Sequence, residues 1–143
     1  NINELISSAI ADLKGYGAIT VKTNLDPGMP SFFIDQEQVY KVLENLLMNA
    51  YDATGDEGQI EVTTRIKDDW AEVLVTDTGC GISQDFIKNN LFRPFQTTKK
   101  QGMGIGLYHC KTIVEGHGGR LTVESEEGKG SIFTIRLPIR VAP

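Results

Sequence analysis

The chain has 143 residues, 40% of them apolar and 23% charged, values ordinary for one soluble globular domain with a core of its own. Fourteen basic against nineteen acidic residues leave a net charge of −5, which disfavours nonspecific nucleic-acid binding, since that needs a broad positive surface to displace counterions. No apolar run approaches the ~18 residues that cross a bilayer, and no signal-peptide pattern opens the chain. Because it begins at Asn1 rather than a methionine, it is expected to be a piece of something longer. Cys80 and Cys110 are too few for a disulfide framework and lack metal-ligand spacing, so a reducing, cytoplasmic setting is expected.

In chain order, Ile2, Leu5, Ile6, Ala9, Ile10 and Leu13 fall at helical spacing, and Gly15 and Gly17 stop that helix. Residues 19–25 alternate like a strand, Asp26-Pro27-Gly28-Met29-Pro30 turns, and residues 31–34 read as a short extended piece. Asp35 with Gln38 three positions on is a capping-box signature that opens a long helix to about Thr54. Strands over 59–66 and 70–76 follow, joined at Asp68-Asp69. Then come a glycine-rich turn, a short helix from Ser83, an irregular stretch over 91–103, and a helix over 104–115 stopped by Gly118-Gly119. A hairpin of strands 120–125 and 131–137 closes the chain. Strands that neighbour one another in sequence, with helices able to cover one face, predict a two-layer α/β (α+β) sandwich, and there is none of the β-α alternation of a doubly wound sheet.

Glycine stands out: ten of the fifteen fall between Gly79 and Gly130, where backbone must approach something closely. On the long helix, Val39, Val42, Leu43, Leu46, Leu47 and Ala50 share one face, while Asn45, Asn49 and Asp52 form a second stripe about 100° round. Polar residues on a half-exposed helix are ordinarily just solvated. Asparagine is a mediocre helix former, however, and its carbonyl is a hard oxygen donor suited to Mg²⁺. Asp77-Thr78-Gly79-Cys80-Gly81-Ile82 follows a β-branched strand; it is either a simple Asp-Gly turn or a carboxylate that accepts from an exocyclic amine beside a planar ring. Gly102-Met103-Gly104-Ile105-Gly106-Leu107 stands at the mouth of a helix, where free N–H groups and the positive dipole end favour phosphate. It is neither the dinucleotide fingerprint nor a Walker A loop. Thr97-Thr98-Lys99-Lys100 just upstream is a solvated basic turn or a source of hydroxyls and cations for the same anion.

Taken together in this order, the motifs resemble the ATP-binding domain of bacterial sensor histidine kinases, in the Bergerat-fold ATPase superfamily shared with DNA gyrase and MutL. Glu44 to Ala50 is similar to the N box and Asp77 to Ile82 to the first glycine box. Leu91-Phe92-Arg93-Pro94-Phe95 with Thr97-Thr98-Lys99 is similar to the F box and lid, and Gly102 to Leu107 to the second glycine box. Gly128-Lys129-Gly130-Ser131 matches the terminal glycine motif. The resemblance covers essentially all of 1–143 as one catalytic domain. It implies a mixed, mainly antiparallel sheet under about three helices, with residues 1–13 continuing from a missing dimerisation hairpin.

The resemblance further implies ATP and Mg²⁺ as cofactors. Asp77 would accept the adenine amine, with the Gly81 N–H and the Ser131 hydroxyl completing a water-bridged readout of the ring edge and Gly79 and Ile82 also among the nucleotide-binding residues. Asn49 would hold Mg²⁺ with Asn45 supporting the metal and phosphate end, Asp52 would be among the nucleotide-binding residues, and Asn45, Asn49 and Lys99 would serve the transfer itself. Gly102, Met103, Gly104, Ile105, Gly106 and Leu107 would cradle the triphosphate, closed over by Thr97, Thr98 and Lys99. Asp52-Ala53 stands where many sensor kinases carry Lys-Tyr, as in the nitrogen-regulation-type subgroup. The implied reaction is transfer of the γ-phosphoryl group to a histidine of a separate dimerisation domain, with a response regulator downstream. The implied setting is the cytoplasmic part of a parent that is in some cases membrane-anchored, with no nucleic acid and no membrane contact by this piece. The alternative is an ATP-gated binding module of the same fold without transfer activity. His109 and His117 are expected to be structural, His117 as a partly cationic imidazole at a helix C-terminus.

Overall fold

The computed structural model describes residues 1–14, 20–54, 58–89 and 106–140. Helices α1 (Ile2–Lys14) and α2 (Gln36–Thr54) carry the apolar stripes expected of them. All six stripe residues of α2 are buried, as are Ile2, Ile6, Ala9, Ile10 and Leu13 of α1. The Tyr40 hydroxyl donates to Asp12 and ties the two helices together across their exposed rims.

Beneath the helices lie strands β1 (Val21–Asn24), β2 (Ile60–Lys67), β3 (Trp70–Asp77), β4 (Arg120–Glu126) and β5 (Gly130–Pro138), in spatial order β1-β2-β3-β5-β4. The β1–β2 pair is parallel and the other three pairs are antiparallel, the mixed and mainly antiparallel sheet expected. Alternation sends Ile60 and Val62, Ala71, Val73 and Val75, and Phe133, Ile135 and Leu137 to the helix-covered face, where they are buried. Thr64 sits on the same row and is fully satisfied: its Oγ1 accepts from the Asp26 N–H at 2.7 Å and donates to Asn3 Oδ1 at 3.0 Å. On the other face, Glu72 is 5% exposed and bridges Arg65 at 2.6 Å and Arg136 at 3.2 Å, with the Arg136 guanidinium over the Trp70 ring.

Two shorter helices, α3 (Gln84–Asn89) and α4 (Gly106–Gly116), complete the helical layer. The end of α4 is a Schellman stop. Gly118 adopts φ +79°, its N–H bonds to Glu115 O, and the Gly119 N–H bonds to Val114 O, both at 2.9 Å.

Helix α4 runs antiparallel to α2. The Cys110 thiol lies 3.9 Å from Val42 O, and one helical end later His117 reaches the start of α2. There the capping box is realised in an altered form. The Asp35 carboxylate accepts from the Gln38 N–H at 3.1 Å, as expected. The N–H of Asp35, which a capping box would give to the Gln38 side chain, is instead accepted by His117 Nε2 at 3.0 Å. His117 Nδ1 donates to Ile113 O at 2.8 Å. An imidazole that donates at one nitrogen and accepts at the other is neutral, which corrects the expectation of a cationic cap. The tie is testable: His117→Ala should lower the unfolding free energy by about 1 kcal/mol in urea titrations. His117→Gln, whose side-chain oxygen can replace Nε2 as acceptor, should recover most of that loss.

Candidate functional site

The helix-facing row of β3 runs Ala71, Val73, Val75 and ends in Asp77, so a carboxylate occupies the last place in an apolar row. Asp77 is only 5% exposed. Burial pushes its carboxyl above the usual range, while N–H bonds from Gly79, at 2.9 Å to Oδ1, and from Ser131 draw it partly back. Those two donors fix the group and leave lone pairs for a further donor. Ser131 is its register partner on β5 and is equally buried.

The glycines here answer to crowding. Gly130 adopts φ +121°, and a Cβ on it would stand 2.0 Å from Asp77 O. Gly81, at φ +73°, lies so close to the β4–β5 turn that a Cβ would stand 2.1 Å from Glu126 O. The Gly128 N–H donates to Cys80 O at 2.7 Å and closes the same contact. A cavity of about 410 Å³ opens at these strand ends, where Asp77 and Ser131 border it together with Thr76, Glu124 and Ile132, whose places in the strand alternation lie on the face away from the helices.

Asn45 and Asn49 do not line that cavity; they lie on the stripe of α2 that meets the turn after Asp77 from the helix side. The Asn45 side chain is oriented by its own helix, Nδ2 donating to Lys41 O at 3.0 Å. Its Oδ1 lies against the first residue of α4, 2.7 Å from where a Cβ on Gly106 would be. At the far end of the stripe, a Cβ on Gly79 would stand 2.6 Å from the Ala53 carbonyl. Asn45, Asn49 and Ala53 follow at intervals of four on one face and span about 12 Å. One helical stripe therefore touches the mouth of α4 at one end and the turn after Asp77 at the other, with half-buried Asn49 between them.

Leu107 is half-buried in the first turn of α4, whose N-terminal N–H groups and dipole favour an anion. Asp52 is exposed in the last turn of α2. The Ile82 N–H is taken by Ser125 Oγ at 2.8 Å and so is not left for a ligand. Residues 91–95, Thr97, Thr98, Lys99, Gly102, Met103, Gly104 and Ile105 lie outside the described residues. Cys110 is buried, its thiol pushed up to about 12, whereas Cys80 is exposed. Among the described residues no three His, Cys, Asp or Glu side chains converge, and no helix is long and apolar enough to cross a membrane. Sequence reasoning missed Ser125 and the acceptor role of His117. The first could have been read from the hairpin register, which sets Ser125 opposite Ser131.

Residues 34–141 match the family described as histidine kinase-, DNA gyrase B-, and HSP90-like ATPase. The chain belongs to this family. It is 39% identical over 123 residues to the sensor histidine kinase ZraS of Escherichia coli, covering 86% of this chain and 26% of ZraS. The chain thus spans about a quarter of that relative's length. The nucleotide-free catalytic domain of the histidine kinase ThkA superposes with a TM-score of 0.88 at 32% identity, over 98% of this chain and 93% of ThkA's. Full-length ShkA in complex with AMPPNP superposes at 0.87 with 26% identity, over 99% of this chain and 31% of that one. The fold is that of histidine kinase catalytic domains, with ATP-binding character carried by the family.

The two tight glycines differ in what they face, and so should their alanine variants. Gly79→Ala meets backbone atoms of Ala53, which cannot yield, and should lose more than about 2 kcal/mol of stability. Gly106→Ala meets only the tip of the Asn45 side chain, so its stability should change by less than about 1 kcal/mol. The displaced Asn45 amide should show the change as shifted side-chain NMR resonances.

Proposed function

We propose that this domain binds Mg-ATP along the α2 stripe and donates the γ-phosphoryl group to a histidine on a separate dimerisation domain, with a response regulator downstream. The observation that carries the reading is the single stripe of α2 that links the Asp77 turn, through Gly79 and Ala53, to the mouth of α4, through Asn45 and Gly106. A purine at Asp77 and a triphosphate at the α4 N-terminus would then lie at the two ends of one helix face.

In this reading Asp77 accepts the exocyclic amine of adenine and disfavours guanine, whose O6 has no proton to give. The amides of Gly106 and Leu107 take phosphate oxygens, and Gly102, Met103, Gly104 and Ile105 continue that cradle. Thr97, Thr98 and Lys99 close over it. The residues present fit a magnesium ion. Asn45 offers an oxygen with its amide orientation already fixed, and Asn49 stands one turn on, in keeping with an ion that takes few protein ligands and several phosphate and water oxygens. When bound, the ion would neutralise charge on the transferring phosphoryl group. Positioning by Asn45, Asn49 and the α4 N-terminus contributes the rest. His117 is unsuited to receive the group, because both ring nitrogens are already engaged.

Thermal unfolding with Mg-ATP and Mg-GTP tests the base reading. ATP at about 100 times its dissociation constant should stabilise the domain by about 2.7 kcal/mol, GTP should do far less, and Asp77→Asn should abolish the difference. Equal stabilisation by both nucleotides would overturn the reading. Incubation with labelled ATP and a histidine-bearing hairpin should yield acid-labile phosphohistidine; ATP binding without transfer would leave a nucleotide-gated binding module.

The raised carboxyl of Asp77 adds a pH signature. Its proton returns at a higher pH than an ordinary aspartate's, so ATP affinity should begin to fall early on acidification. Because the folded state holds that proton more tightly than the unfolded one, the stability cost of ionising Asp77 is absent below its unfolded value. It is fully present above its folded value. The stability of wild type relative to Asp77→Asn should therefore fall as pH rises through that window, measured by denaturant titrations across the acidic range.

A further inference from the structure

Ser125 sits where the β4–β5 hairpin meets the turn after β3, and its hydroxyl is saturated. Oγ lies 2.8 Å from the Ile82 N–H, 2.9 Å from Gly130 O and 2.7 Å from Ser131 Oγ. A hydroxyl has one proton and two lone pairs. Gly130 O can only accept, so it takes the Ser125 proton. The Ile82 N–H can only donate, so it fills one lone pair. What remains for Ser131 is the second lone pair, and Ser131 must be the donor in the contact between the two serines. With its only proton committed to Ser125, Ser131 Oγ can only accept from any group that reaches it.

Directly across the ladder stands Asp77, whose ionised carboxylate also only accepts. Opposed side chains on one sheet face have Cβ atoms about 4.5–5.5 Å apart. Both side chains take the helix-covered face of the sheet, the side on which the α2 stripe meets the turn after β3. A 6-aminopurine brings two protons on one nitrogen to this pair of acceptors. A 6-oxopurine brings an oxygen with none there, and its neighbouring N1–H can serve only one of the two, so a buried acceptor is left facing an acceptor.

We propose that Ser125 is a specificity-determining positioning residue: by taking the Ser131 proton it makes the Asp77–Ser131 pair a double acceptor that selects a 6-aminopurine over a 6-oxopurine. The inference rests on the ATP reading above and deepens it, since discrimination then comes from two acceptors rather than from Asp77 alone. Ser125 acts through Ser131 and need not touch the base.

The test is calorimetric titration of the domain with Mg-ATP and Mg-ITP, which differ at the six position. Wild type should prefer ATP. Ser125→Ala frees the Ser131 proton to fill an Asp77 acceptor or to point at an oxo group, and either should narrow the ATP:ITP affinity ratio by about tenfold, equivalent to 1.4 kcal/mol. Ser125→Thr keeps the hydroxyl and should keep the wild-type ratio. Should Ser125→Ala fail to fold, Ser131→Ala deletes the second acceptor directly and should narrow the ratio as well. A lowered melting temperature with an unchanged ratio in either alanine variant, or a ratio that widens, overturns the proposal. Wild type that binds no ATP overturns the ATP reading itself, an outcome distinct from ATP binding that ignores Ser125.

Discussion

The backbone of the turn after β3 rests on the backbone of α2, with the Ala53 carbonyl lying where a side chain on Gly79 would begin. That approach determines how far the buried carboxylate of Asp77 stands from the amide stripe of Asn45 and Asn49. A spacer of even one methyl group would lift the strand end from the helix. The same requirement recurs on the other side of the turn, where Gly81 meets the Glu126 carbonyl, and at Gly130, which meets the carbonyl of Asp77. Three glycines thus let three pieces of backbone converge around one acidic side chain. Desolvation there raises the energy of the ionised carboxylate, and the amides of Gly79 and Ser131 offset part of that cost. A turn that only reversed the chain would need neither the close approach nor the buried charge.

The second fixed distance comes from the antiparallel seating of α4 on α2. Contacts at Asn45–Gly106, Val42–Cys110 and Asp35–His117 advance together along the two helices. A slip of one turn would carry the α4 N-terminus about 5.4 Å along the stripe, away from the Asn45 oxygen. His117 guards against such a slip from the far end, since its hydrogen bond joins the last residues of one helix to the cap of the other. The apolar faces alone are weakly discriminating, because a stripe of Val and Leu presents similar side chains one turn along. A directional bond at the terminus supplies the register that packing leaves loose.

What could be read from the residues alone follows from this division. The stripe of α2 was legible to the residue, because helical period and burial are both local properties, and the Asp35 cap was legible because its partner lies three positions away. The mixed sheet under one helical layer was legible from the order of the strands. Less accessible were contacts between residues far apart in sequence. Nothing near His117 announces that it accepts from Asp35, and a histidine beside a helix C-terminus reads by default as a cation. The glycine clusters pointed to close approach, but not to which backbone would be approached. Ser125 lies between two exposed glutamates and reads as part of a solvated strand until register sets it against Ser131.

Hydrogen-bond valence then carries the site further than shape can. Two buried side chains that face each other across a ladder, a serine and an aspartate, would ordinarily be taken for mutual partners, the hydroxyl giving its proton to the carboxylate. Such a bond would leave Asp77 with another of its acceptors filled and less able to receive an amine. The third residue, Ser125, removes that option because its own proton is held by Gly130 and its lone pair draws the proton of Ser131. The carboxylate is thereby left open to a further donor. Burial without such an arrangement would favour protonation of Asp77 or its pairing within the protein, and either outcome would silence it. The hairpin therefore does more than complete the sheet: its turn glycines admit the β3 end, and its serines decide which way the protons point.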